Sequence, residues 1–195
     1  MGGTRMRLFF ALELPEELKS ELGMFQRRGR ALGIPASWPD AASLHLTLAF
    51  LGEQAEDRLP ALREIGTRVA ERCLPFTLRT RGLGGFPRPA QARVLWLGLE
   101  ADVRLDGLAK DLRQGLGHQA FPVDGKPFTA HLTLARFSIP VDIRRFEPNT
   151  EPRMFTVREL VLFSSHLGPK GARYERIAGF ALGGSTSVSS GALLP

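Results

Sequence analysis

A five-residue word written twice constrains this chain more than any other feature. His45-Leu46-Thr47-Leu48-Ala49 is the first copy, and His131-Leu132-Thr133-Leu134-Ala135 follows at an offset of 86. In an extended strand successive side chains point to opposite faces. His45 and Thr47 then share one face and Leu46 and Leu48 the other, and the second copy divides the same way. Each word reads as a strand with its leucines in a core and its His/Thr pair facing elsewhere. The flanks repeat as well. Arg7-Leu8-Phe9-Phe10 begins 38 residues before His45, and Arg93-Val94-Leu95-Trp96 begins 38 residues before His131. Between them lie stretches of helical character, in which Leu22 and Leu108 fall at the shared offset. The pattern predicts two strand–helix–strand halves, pseudo-symmetric, with the His/Thr faces brought together across a cleft.

A histidine exchanges a proton near neutral pH, and a threonine two positions on sets a hydroxyl beside it. Two opposed pairs supply a general acid, a general base and two hydroxyl donors, which suffices to cleave a phosphodiester without a metal. A single H-x-T in a strand is ordinarily structural, its histidine satisfied at a core or rim and its threonine a good strand former. Two identical words in a chain of four histidines weigh against that reading. What remains beside catalysis is a duplicated structural unit with no chemistry in it.

Composition narrows the partners. The 195 residues suit one domain or two small lobes, and 43% hydrophobic residues can build a core. Twenty-six basic and 20 acidic residues leave a net charge of +6. Most of the excess is arginine, since lysine stands only at Lys19, Lys110, Lys126 and Lys170. Arginine's planar fork suits phosphate, so RNA or a nucleotide fits as partner; a codon bias toward arginine would give the same composition. Cys73 is the only cysteine, which excludes an intramolecular disulfide and suits a reducing cytoplasm. No apolar run reaches membrane-spanning length, and neither a signal peptide, a zinc-spaced Cys/His cluster nor a Gly-rich phosphate loop is found. The expectation is a cytoplasmic monomer with no cofactor, no metal, no membrane contact and no obligate protein partner.

Along the chain, residues 6–14 predict a central strand. Pro15 opens a helix with Glu16 and Glu17 in its first turn and an apolar stripe of Leu18, Leu22 and Phe25. Residues 33–42 read as a loop, in which Trp38 lines the cleft or packs as a hydrophobic cover. The first word's strand ends at Gly52, and a helix is expected over 54–72. A strand over 74–83, a turn-rich loop over 84–89, a strand over 94–99, a helix over 102–117 and a loop over 121–128 follow. The second word's strand continues through Arg136 and Phe137. Residues 139–152 read as a polar connector, 155–164 as one strand, 167–171 as a turn and 174–182 as the last strand. His118 reads as an exposed residue at a helix end, and His166 as structural. From Gly183 the chain is Gly/Ser-rich and is expected to be a disordered tail. No linker interrupts residues 1–182, which read as a single bilobal domain.

The doubled words resemble the paired His-x-Thr-x motifs of the 2H phosphoesterase superfamily. The stretches RLFFALELP, HLTLAFLGE, GGFPRPAQARVLWLGL, HLTLAR and VLFSSHLGPKGARYERI resemble, in order, the RNA 2′,3′-cyclic phosphodiesterase (2′-5′ RNA ligase) family, from residue 6 to about 180. The resemblance implies an α+β fold of two pseudo-symmetric lobes of antiparallel sheet, with flanking helices around a central cleft. It implies His45, Thr47, His131 and Thr133 as catalytic residues and Arg136 as a substrate-binding residue, with no metal and no cofactor. The implied reaction is hydrolysis of RNA 2′,3′-cyclic phosphate ends to 2′-phosphate, with a possible reverse, ATP-independent 2′-5′ ligation. A phosphodiesterase acting on cyclic nucleotides or 2′-5′ oligoadenylates, or an RNA-binding module with an inactive cleft, remain alternatives. One departure is Ala130, where family members often carry proline.

Overall fold

Nine strands and three helices are found among the residues that the computed structural model describes, 4–146, 151–168 and 171–183. In chain order they are β1 (Arg5–Glu13), α1 (Glu16–Ala31), β2 (Ala36–Ser37), β3 (His45–Ala55), α2 (Leu59–Glu71) and β4 (Phe76–Phe86). Then come β5 (Ala92–Leu99), α3 (Val103–His118), β6 (His131–Val141), β7 (Met154–Val157), β8 (Glu159–Gly168) and β9 (Gly171–Ala181). Part of the connector, the centre of the 167–171 turn and the tail beyond Gly183 lie outside the described residues.

The strands form two antiparallel sheets, ordered β3-β1-β8-β9 and β2-β6-β5-β4-β7. In each sheet the strand bearing the repeated word pairs with the strand that carries the Arg-led apolar run 38 residues before it, β3 with β1 and β6 with β5. The halves are thus β1-α1-β3 and β5-α3-β6. Each half lends its helix to the other: α1 packs against β6, and α3 packs against β3. One apolar core runs through both sheets and includes Leu22, Leu108 and all four leucines of the two words, none more than 4% exposed.

Local chemistry explains most elements. Asp102 caps α3 by accepting the backbone N–H of Arg104 and Leu105 at 2.8 and 3.2 Å. The first word's strand runs past Gly52 to Ala55, and a 3₁₀ turn (Glu56–Arg58) separates it from α2. The helix therefore starts five residues later than its apolar period suggests. Pro60 falls in its first turn, the place where a helix tolerates proline.

Three other expectations are corrected. The Gly84-Gly85 stretch is not a loop but the end of β4, paired with Trp96 and Leu95 of β5. A Cβ on Gly84 would stand 2.1 Å from the Trp96 ring, so the glycine is there to admit the indole. The strand expected over 155–164 is two strands broken at Arg158. β7 pairs with β4 in the second sheet, whereas β8 pairs with β1 and β9 in the first. Residues 33–42 include β2, an edge strand whose Ala36 and Ser37 pair with Phe137 and Arg136. Trp38 is a cover. Its ring faces Phe137 and Phe146 at 6.5 and 6.3 Å and fills the space a Gly29 side chain would need.

Candidate active site

His45 and His131 open β3 and β6, the two strands that touch where the sheets meet. Alternation holds through four residues of each word and then breaks at the same place. In β3 both Leu48 and Ala49 are buried and Phe50 is 46% exposed; in β6 both Leu134 and Ala135 are buried and Arg136 is exposed. The β1–β3 register shifts between Phe10 and Ala11, and the β5–β6 register between Leu95 and Trp96. Each is a bulge, which adds one residue to a strand and sends the following side chains to the opposite face. Strict alternation would bury Arg136 with Leu132 and Leu134. The bulge turns it out to the side of His131 and Thr133. The same device turns out Phe50, whose ring centre lies 4.8 Å from the Arg7 guanidinium carbon. Arg136 thus has a phenylalanine as its pseudo-symmetric mate.

Both imidazoles are oriented alike. His45 Nδ1 lies 2.7 Å from the Ser43 carbonyl oxygen, and His131 Nδ1 lies 2.7 Å from that of Thr129. A carbonyl only accepts, so each Nδ1 carries the hydrogen and donates it, which leaves Nε2 for chemistry. Thr47 is exposed and Thr133 half-buried, so neither residue is sealed in the core as the word leucines are.

Aromatic side chains wall each ring. His45 meets Phe9 at 4.8 Å, Tyr174 edge-on at 5.0 Å and Phe163 at 6.3 Å. Phe9 and Phe163, with Ala11 and Val161, form a small apolar cluster separate from the main core. His131 meets Phe86 edge-on at 5.1 Å and Trp96 at 6.2 Å. The indole lies against Gly84 and Gly98, and its Nε1 is buried without a hydrogen-bond partner among the described residues.

Burial lowers the proton affinity of His45 below the ordinary histidine value. The bond to Ser43 works against this, and the Lys19 charge adds to it. A cavity of about 450 Å³ opens beside His45, between the start of α1 and the β8–β9 hairpin. Another of about 340 Å³, between α2 and α3, includes His118 and none of the paired residues. No group of three or more His, Cys, Asp or Glu able to hold a metal occurs among the described residues. No helix among them is long and apolar enough to cross a membrane.

Other positions have separate tasks. His166 Nε2 bonds the buried Ser164 hydroxyl at 2.7 Å and the Glu175 carboxylate at 3.2 Å, which ties β8 to β9. Gln26, 1% exposed on α1, donates to the carbonyls of Pro39 and of Leu134 at the β6 bulge, both at 3.0 Å. Its place one turn beyond Leu22, on the apolar stripe, marks it in the sequence as a buried polar residue that needs partners. Phe9, Trp96, Phe163 and Tyr174 carry no such mark, because strand aromatics are ordinary core residues.

Comparison with known proteins agrees with this geometry. The profile of the 2′-5′ RNA ligase superfamily matches residues 15–169. The RNA 2′,3′-cyclic phosphodiesterase of Thermus thermophilus is 37% identical over 190 residues, 92% of this chain and 91% of that protein. The protein of that name from Thermotoga maritima is 32% identical over 175 residues, 87% and 92% of the respective chains. Among solved structures, TT0787 of Thermus thermophilus superposes with a TM-score of 0.78 at 36% identity, over 93% of this chain and all of that one. E. coli LigT, complexed with 3′-AMP, gives 0.73 at 31% identity, over 92% and 99%. Two antiparallel sheets meeting at doubled His-x-Thr strands define a phosphoesterase of the 2H type. Within that class, the chain belongs to the 2′-5′ RNA ligase superfamily.

Proposed function

We propose that this chain hydrolyses RNA 2′,3′-cyclic phosphate ends to 2′-phosphates without a metal, using His45, Thr47, His131 and Thr133, with Arg136 holding substrate phosphate. The observation that carries the reading is the matched orientation of the two imidazoles, each with Nδ1 tied to a carbonyl and Nε2 left for proton transfer.

The phosphate lies between the two words. Nε2 of one neutral histidine takes a proton from water as the water oxygen attacks phosphorus. The P–O3′ bond breaks in line with that attack, and the other histidine, as imidazolium, gives its proton to O3′. The Thr47 and Thr133 hydroxyls donate to the non-bridging oxygens as charge gathers there. His45 is the acid, because the cavity at its side has room for the nucleoside whose O3′ departs; His131 is the base. Burial favours the neutral form of His45 in the free enzyme, and the negative charge of the bound phosphodiester offsets this. His45 therefore takes up its proton along with substrate. With a 5′-hydroxyl in place of water the same steps form a 2′-5′ linkage and consume no ATP.

The test is turnover of an oligonucleotide ending in a 2′,3′-cyclic phosphate, with EDTA present. A 3′,5′-cyclic nucleotide and a 2′-5′ oligoadenylate are assayed beside it. The expected result is a 2′-phosphate end formed at the same rate with and without EDTA. Loss on chelation, restored by a divalent ion, would overturn the metal-free mechanism. Turnover of the oligoadenylate alone would reassign the substrate.

A further inference from the structure

The cavity at His45 has a composition that the cleavage step does not require. Its volume of about 450 Å³ falls in the usual range for small-ligand sites, roughly 300–1,000 Å³. Phe163 and Tyr174 give it an apolar wall, and Lys19, Arg173 and Arg176 bring three cations to it. Arg176 is already committed, bonded to Glu13 at 2.9 Å and to Glu159. Of the two carboxylates lining the cavity, Glu13 is thereby neutralised, and Asp40 accepts the Ala42 N–H at 3.1 Å.

Lys19 is different. Its side chain is only 12% exposed, and its salt-bridge partner among the described residues is Glu16, at 2.8 Å, whose own side chain is 81% exposed. An ammonium has three donors. Here most of its surface is withdrawn from water while its partner stays in water, an arrangement that an anion inside the cavity would offset.

We infer that this cavity receives the phosphate joining the cyclic-phosphate nucleotide to the strand before it, with Lys19 as the cation that meets it. The inference rests on the cyclic-phosphate reading above. The terminal ribose and base lie along Phe163 and Tyr174, and the next phosphate reaches Lys19, with Arg173 on the opposite wall. A mononucleoside 2′,3′-cyclic phosphate has no such phosphate. The site therefore selects strand ends over free cyclic nucleosides.

The experiment compares kcat/KM for a dinucleotide ending in a 2′,3′-cyclic phosphate with that for the corresponding mononucleoside, and reads their ratio. The wild type should favour the dinucleotide, and added salt should erode that preference, because the extra contact is with a phosphate. Lys19→Gln should lower the ratio about ten-fold, the scale of one hydrogen bond to a charged group, and Lys19→Arg should keep most of it. The influence of Lys19 on His45 acts on both substrates alike and cancels in the ratio. A wild-type ratio near one, or an unchanged ratio in Lys19→Gln, overturns the inference and leaves the cyclic-phosphate reading standing. If the wild type opens neither substrate, both fall together.

Discussion

Two histidines oriented by the same bond should fail separately and together. Replacing His45 or His131 by alanine should each lower kcat/KM on the order of 10²–10⁴, the worth of a positioned acid or base. The double variant should be little worse than the worse single one, since the two act on one event. Thr47→Ala and Thr133→Ala should each cost about 10²–10³, as for loss of one oxyanion donor. Full activity in either histidine variant would remove that residue from the mechanism. The buried His45 also makes a stability prediction. Its proton affinity in the folded protein lies below the ordinary value of 6.5, so below that pH the unfolded chain binds the proton more readily. Stability contributed at this site is present above about pH 6.5 and is lost as pH falls through the window between 6.5 and the lower folded value. His45→Gln should therefore gain stability relative to wild type on acidification. Melting curves at pH 5.5 and 7.5 test this, and an equal offset at both would sink it.

At the scale of elements, the site depends on strand irregularities more than on regular strands. The bulge after Leu134 aims Arg136, and Gln26, reaching across from α1, meets the carbonyl of the bulged residue. The floor beneath His131 depends on β4 having no side chain at Gly84. Gly84→Ala would put a Cβ 2.1 Å from a rigid indole, so Trp96 must move and His131 with it. Displacements near 1 Å cost roughly 10²-fold in rate. Steady-state kinetics of Gly84→Ala should show kcat reduced by about 10–10²-fold, against a smaller change in Tm. Unchanged kcat would mean that the indole floor has no part in placing the imidazole.

For the whole molecule, the exchanged helices join the halves. Helix α1 belongs in sequence to the first half and packs on β6, and α3 belongs to the second and packs on β3. Neither half encloses its own core, and the buried leucines of both words lie in one cluster. The chain should therefore unfold in a single transition whose calorimetric and van't Hoff enthalpies agree. Two resolved transitions would show lobes that are separately stable. In the proposed mechanism the same pseudo-symmetry presents matched His/Thr pairs to one phosphate. The mismatch between Phe50 and Arg136, and between the open cavity at His45 and the indole-floored side at His131, lets the two pairs do different things.

Features set by near neighbours in the chain could be read directly. Side-chain alternation put the word leucines in the core and the His/Thr pairs opposite them. The 3.6-residue period located α1 and α3, and the offset of 86 exposed two related halves. Features set by partners distant in the chain could not. A bulge depends on the register of a second strand, so alternation alone misplaces Arg136. The break at Arg158 moves the chain from one sheet to the other, while Val157 and Leu160 are buried on both sides of it and the apolar pattern runs on without a gap. The acceptors of the two Nδ1 hydrogens are backbone carbonyls, which every residue has. Gly84 looks like a turn until Trp96 is seen lying on it. Lys19 reads as one helix residue among many, and only the fold brings it to the cavity at His45. Alternation and helical period act over a few residues and are written locally, whereas register, helix exchange and cavity walls arise between segments tens of residues apart.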